Sequence, residues 1–174
     1  LFYDENGKLW MSYGSWSGGI FVLEIDPATG QAIYPGKDDT TADGRLIDRY
    51  FGTKISGGFG KSGEGPYVIY DESTGYYYLY VTYGWLAADG EYNMRVFRAE
   101  SPEGPYLDIQ GQNAVLQSGA DHANIGNKLL GHFLFERNTG DPGTGVGYGY
   151  VSAGHNSVHI DPETNEQFLV FHTR

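Results

Sequence analysis

Apolar residues come in short runs along this chain, and an acid closes several of them. Leu1-Phe2-Tyr3 ends in Asp4, turns through Glu5-Asn6-Gly7-Lys8, and continues as Leu9-Trp10-Met11-Ser12-Tyr13. The pattern recurs at Tyr67 to Tyr70, with Asp71, a turn at 72–75, and a second run from Tyr76 to Tyr83. It recurs again at Val158 to Ile160, with Asp161, a turn at 162–165, and a run from Gln167 to Phe171. An aspartate at a strand end can accept the free N–H groups of the turn, and Gly or Asn takes its left-handed position. Each copy therefore predicts an antiparallel hairpin. Further strands are expected at Gly19–Ile25, leading into Asp26-Pro27-Ala28-Thr29-Gly30, and at Tyr92–Ala99, leading into Ser101–Tyr106. No stretch carries a helical period.

The expected fold is all-β, built from antiparallel units that repeat near residues 1–60, 64–115 and 150–174. Three or four strands per unit is the plan of a β-propeller blade with loop insertions. Two to three blades do not close a ring. Both ends of the sequence also lie inside apolar runs, so the 174 residues read as part of a longer propeller.

Composition agrees with many strands and tight turns: 27 Gly, 15 Tyr, 9 Phe and 3 Trp. The net charge is −11, and the pI is about 4.7. Such a surface repels nucleic acid and anionic membranes, and it is compatible with a neutral ligand such as a sugar. There is no cysteine, which excludes disulfides and thiolate metal sites. No apolar run approaches the roughly 18 residues of a membrane-spanning helix.

The candidate chemistry begins at Glu64. It follows the small-residue run Ser56-Gly57-Gly58-Phe59-Gly60-Lys61-Ser62-Gly63 and opens the strand Gly65-Pro66-Tyr67-Val68-Ile69-Tyr70. An acid between glycines and an apolar strand can be partly desolvated yet reached by substrate, which would raise its pKa and suit it to donate a proton. The alternative is an acid in a solvated loop. Position favours the first reading. Glu64 stands seven residues before Asp71, and His155 stands six before Asp161. In a propeller these are nearly equivalent slots at the leading ends of inner strands, where side chains converge on one mouth of the channel.

Three segments carry a resemblance: Leu9-Trp10-Met11-Ser12-Tyr13-Gly14-Ser15-Trp16-Ser17-Gly18-Gly19-Ile20, Gly63-Glu64-Gly65-Pro66-Tyr67 and Gly154-His155-Asn156-Ser157-Val158. Together, in this order, they resemble glycoside hydrolase family 43, and within it the endo-α-1,5-L-arabinanases, five-bladed β-propellers that cut the arabinan side chains of pectin. The resemblance implies that Glu64 is the general acid of an inverting mechanism. It implies that Gly14, Ser15 and Trp16 form a substrate-contacting turn, and that His155 holds a calcium ion near the propeller axis through a largely water-filled shell. It also implies secretion, and arabinan or arabino-oligosaccharide as partner, along with the rest of the same propeller. The family's base and its second aspartate have no counterpart in this chain, so these residues alone are expected not to hydrolyse arabinan.

Other readings remain open at this stage. An exo-acting arabinofuranosidase or β-xylosidase, or a non-catalytic sugar-binding propeller, would share the same pattern. Trp85 either lines a subsite or covers the core. Trp10 is expected in the core, His159 and His172 as packing residues, and Asp38 to Asp43 as a solvated loop. His122 and His132 carry no readable signal.

Overall fold

The computed structural model describes residues 1–60, 63–87, 91–119, 122–131, 133–136, 139 and 148–173. All regular structure among them is strand. The first sheet contains β1 (Phe2–Tyr3), β2 (Leu9–Gly14), β3 (Ile20–Ile25), β4 (Ala32–Ile33), β5 (Asp39–Thr40), β6 (Leu46–Asp48) and β7 (Gly52–Ser56). Its order is β1-β2-β3-β7-β6-β5, with β4 also paired to β3. The second sheet contains β8 (Glu64–Asp71), β9 (Tyr76–Tyr83), β10 (Asn93–Ala99) and β11 (Asn127–Leu130), in the order β11-β10-β9-β8. Two pairs follow: β12 (Phe133–Glu136) with β13 (Tyr148–Tyr150), and β14 (Gly154–Ile160) with β15 (Gln167–His172).

Strands β8 and β9 are the middle layer. Val68, Tyr77, Leu79, Val81 and Tyr83 pack with Phe2, Trp10, Ile20, Val22 and Ile55 of the first sheet. On the other side, Ile69 and Tyr80 pack with Val158 of β14. Successive strand residues point to opposite faces. Tyr76 to Tyr83 is apolar almost throughout because both faces of β9 are covered. A pattern of alternation would have been left by a strand with one wet face.

The aspartate-closed turns form as expected. Asp4 Oδ1 accepts the N–H groups of Asn6 and Lys8, each at 2.9 Å. Asp71 Oδ1 accepts Ser73 N at 2.9 Å, and Asp161 Oδ1 accepts Glu163 N at 2.8 Å. Gly7, Gly75 and Asn165 take the left-handed positions, with φ of 79°, 70° and 58°. The second oxygens reach further. Trp10 Nε1 donates to Asp4 Oδ2 at 3.0 Å, and Trp10 is buried as expected. Gln167 Nε2 donates to Asp71 Oδ2 at 3.1 Å, tying β15 to the turn of the second sheet.

Arg45 joins the first sheet to the loop after β10. Its Nη1 donates to the carbonyls of Lys54, at 2.9 Å, and of Glu103. The chain from Tyr106 to Leu116 then returns to the first sheet, where Gly57 N donates to Ala114 O at 2.8 Å.

The sequence pattern omits β4 to β7, whose residues show no sustained alternation. It also misjudges two histidines. His159 and His172 lie on exposed faces, His159 stacked on Phe168 at 6.3 Å and His172 on Tyr92 at 5.9 Å. The run from Asp38 is mostly solvated, and Arg49 holds Asp38 in a two-point ion pair. His132 lies outside the described residues.

The turn aspartates predict an acid limb of stability. The Ser73 hydroxyl, its backbone N–H and Gln167 hold the Asp71 carboxyl below its ordinary value of 3.8, against the effect of burial. The N–H groups of Thr164 and Glu163 do the same for Asp161. A depressed folded pKa contributes stability that is present above the unfolded value and lost as pH falls through the folded one. Thermal melts should therefore show Tm falling as pH drops below about 4. Asp71→Asn should flatten part of that fall while lowering Tm at neutral pH.

Candidate active site

The site is set by how closely three backbones approach one another. At Gly63 an added Cβ would lie 1.8 Å from the carbonyl oxygen of Thr82. At Gly154 it would lie 2.4 Å from Tyr92 Cε1 and 2.5 Å from Thr82 Cγ2. At Gly65, where φ is +59°, it would lie 3.1 Å from both Cγ and Nδ1 of His155. The leading ends of β8 and β14 can pack against Thr82 and Tyr92 only because these positions have no side chain.

Glu64 is the first residue of β8 and pairs with Thr82 of β9. The register slips between Glu64 and Tyr67, and Gly65 takes the left-handed conformation there. β14 repeats the device: its register slips between Gly154 and Ser157, and His155 has φ +50°. Bulges of this kind re-aim side chains at the ends of strands. Here they turn neighbouring strand ends toward one mouth. His155 lies against Gly65, the residue after the acid, and its backbone N–H donates to Thr82 Oγ1 at 2.9 Å.

Tyr92 is fully buried, and its hydroxyl donates to Oε1 of Glu64. Burial, and then the Glu64 carboxylate, push the phenol well above its usual range, so it stays a proton donor. Its ring stacks on His172, whose ring centroid is 6.5 Å from that of His155. Sequence patterning missed Tyr92 and Thr82. Both read as ordinary strand residues, and no local motif links them to Glu64.

The turn at Gly14, Ser15 and Trp16 sits beside the acid. Gly14 has φ +111°, and a Cβ there would lie 2.4 Å from Gly19 O. Trp16 has φ +44°, and its N–H donates to Gly63 O at 3.2 Å, one residue before Glu64. Ser15 is exposed and Trp16 half-buried. Trp85 meets Trp16 edge to face, with centroids 6.4 Å apart and planes at 69°. Trp85 is 68% exposed, so it does not cover the core. The two indoles lie on the surface next to the segment that leads into Glu64.

Candidate metal chemistry centres on His155 alone. Among the described residues, no three or more His, Asp or Glu side chains converge to hold an ion. The imidazole of His155 is exposed and offers one nitrogen. The adjacent Asn156 is buried, and neither atom of its amide has a hydrogen-bond partner among the described residues. His122, by contrast, stacks on Tyr83 at 6.1 Å, and its carbonyl accepts from Arg95 at 2.6 Å.

This packing leaves no room at residue 154. Gly154→Ala should lower stability by about 1–3 kcal/mol through overpacking, read as a fall in Tm. A variant that melts like the parent protein would show that β14 can move away from Tyr92.

The chain is similar to known proteins over its whole length. The sequence model for glycosyl hydrolases family 43 matches residues 1–174. An extracellular endo-α-(1→5)-L-arabinanase of Thermotoga petrophila is 44% identical over 177 residues, which take in 100% of this chain and 34% of that protein. The extracellular endo-α-(1→5)-L-arabinanase 2 of Bacillus subtilis is 43% identical over 181 residues, or 99% of this chain and 35% of that protein. A crystal structure of an endo-1,5-α-L-arabinanase from Thermotoga petrophila superimposes with a TM-score of 0.79 at 41% identity, over 99% of this chain and 36% of that one. The chain thus spans about a third of the length of these relatives. The shared fold is the five-bladed β-propeller, of which these sheets form a part. Matched from end to end, the chain belongs to glycosyl hydrolase family 43.

Proposed function

We propose that this chain supplies the general-acid side of an inverting endo-arabinanase site that cuts α-1,5-linked L-arabinan. The observation that carries the reading is the setting of Glu64. Its carboxyl group leads a strand, takes a hydrogen bond from a buried phenol, and lies one residue from the anchor of the Trp16 turn. An acid held this way is positioned to give its proton to a bound substrate. The endo reading draws on the two relatives above 40% identity, both named endo-arabinanases.

In the proposed reaction Glu64 gives its proton to the glycosidic oxygen as the bond from that oxygen to the anomeric carbon breaks. Water adds to the opposite face of the sugar, and its proton passes to a carboxylate base. An inverting pair stands about 6.5–9.5 Å apart, leaving room for that water. The base is an aspartate of the propeller outside these 174 residues. Trp16 stacks on the apolar face of an arabinofuranose ring while Ser15 bonds a hydroxyl. We assign the blade units to residues 1–60, 64–115 and 150–174, and the working environment to the outside of the cell, as the relatives' names have it.

His155 would hold the calcium ion. Calcium takes roughly six to eight oxygen ligands, so the imidazole nitrogen would be an uncommon donor and water oxygens would have to supply most of the shell. When bound, the ion supplies a fixed positive charge near the acid. Calorimetric titration of the complete enzyme with calcium should show one binding event that His155→Ala removes. An unchanged binding isotherm would exclude His155 as a ligand.

Glu64→Gln in the complete enzyme keeps the shape and removes the transferable proton. General acid catalysis contributes about 10²–10⁴-fold, so kcat on linear arabinan should fall by at least the lower figure. An aryl arabinoside with a good leaving group needs little protonation and should lose far less. Equal losses on both substrates would assign Glu64 a positioning role, and full activity on arabinan would remove it from the mechanism.

A further inference from the structure

The hydrogen bond between Tyr92 and Glu64 has a directional consequence. A carboxylic acid has two oxygens, and only one carries the transferable proton. Tyr92 donates to Oε1, so an oxygen lone pair must face the phenol. A proton on Oε1 would face the phenol and displace the bond that the phenol donates there. The phenol ring is held in place. It is fully buried, packed against Gly154 on one side and His172 on the other. Thr82 Oγ1 accepts the His155 N–H at 2.9 Å, and the Thr82 hydroxyl also shares a hydrogen bond with the phenol, which leaves the phenol's own proton for Glu64.

We propose that Tyr92 is a positioning residue that fixes the proton of Glu64 on Oε2, the oxygen that takes no bond from the phenol. The inference rests on the reading of Glu64 as the general acid. The protonated acid then has one arrangement in which both hydrogen bonds survive: Tyr92 O–H to Oε1, and Oε2–H to the glycosidic oxygen. On transfer, the Oε2 proton moves to the leaving oxygen as its bond to the anomeric carbon breaks. Glu64 is left as a carboxylate. Tyr92 keeps its own proton throughout and continues to donate to Oε1, where it stabilises the developing negative charge. A donor to a charged group contributes more than a neutral hydrogen bond does. The effect is therefore larger in the transition state than in the ground state, and it should appear in kcat.

Tyr92→Phe tests this in the complete enzyme. Phenylalanine keeps the ring that fills the space between Gly154 and His172, and removes only the hydroxyl. We expect kcat on linear arabinan to fall about tenfold or more, in line with the loss of one hydrogen bond to a charged group, with KM within about twofold of the parent value. On a nitrophenyl arabino-oligosaccharide, whose leaving group needs little protonation, kcat should fall less than about twofold. In the crystal structure of the variant the Glu64 carboxyl should rotate while β14 and the Trp16 turn stay in place.

Equal losses on the two substrates, together with a shifted β14, would make Tyr92 a structural residue and overturn the proposal. So would an unchanged kcat on arabinan with an unmoved carboxyl. Glu64→Gln, measured beside it, separates the two levels of the argument. If Glu64→Gln abolishes arabinan cleavage while Tyr92→Phe shows no dependence on leaving group, the role of Tyr92 falls and that of Glu64 stands. If Glu64→Gln cleaves arabinan normally, both fall.

Discussion

The distance between the backbones of β8, β9 and β14 governs this site. Gly63 and Gly154 each stand where a single methyl group would collide with a neighbouring strand or ring, and Gly65 takes a left-handed φ in tight contact with the His155 ring. Their effect is to bring Thr82 and Tyr92 within bonding range of His155 and Glu64. The acid consequently sits inside a ladder, with a partner of its own, and not at the tip of a loop. Side chains anchored to paired strands hold catalytic geometry better than side chains on loops.

Around that contact the molecule is arranged in layers. β8 and β9 are covered on both faces, by the first sheet and by β14. A doubly covered layer does not tilt easily, so the strand that presents Glu64 is among the most constrained in the chain. Two of the exceptions to regular backbone lie beside Glu64. Trp16 and His155 are both non-glycine residues with positive φ. Such conformations cost of order 1–3 kcal/mol and persist where the surroundings over-determine them. Trp16 is held by its bond to Gly63 O, and His155 by its bond to Thr82 Oγ1.

Much of this was legible in the sequence, for physical reasons that differ by residue. The hairpins could be read because an aspartate before a turn with Gly or Asn has few other uses. Glu64 and His155 could be matched because both precede such a turn by nearly the same number of residues. The residues between them could not. Thr82 and Tyr92 act through contacts made after the sheets have packed, and neither lies in a recognisable local pattern. The small strands β4 to β6 were hidden because two or three residues leave no period to detect, and β7, Gly52–Ser56, because its five residues show no alternation of apolar and polar types. His159 and His172 were misread because alternation along a strand does not reveal which face is wet. At Trp85 the sequence allowed two environments, and only its position against Trp16 separates them.

Trp85 and Tyr92 belong to the same excursion between β9 and β10, and Trp85 is bridged to Glu91, the immediate neighbour of Tyr92. Surface loops ordinarily change length with little penalty. This one is anchored at its far end by the phenol that holds the acid. The constraints on this segment are therefore uneven: its bridged root is tied to the strand that carries Glu64. Divergence in substrate preference, where it comes from this loop, should be concentrated beyond the bridge.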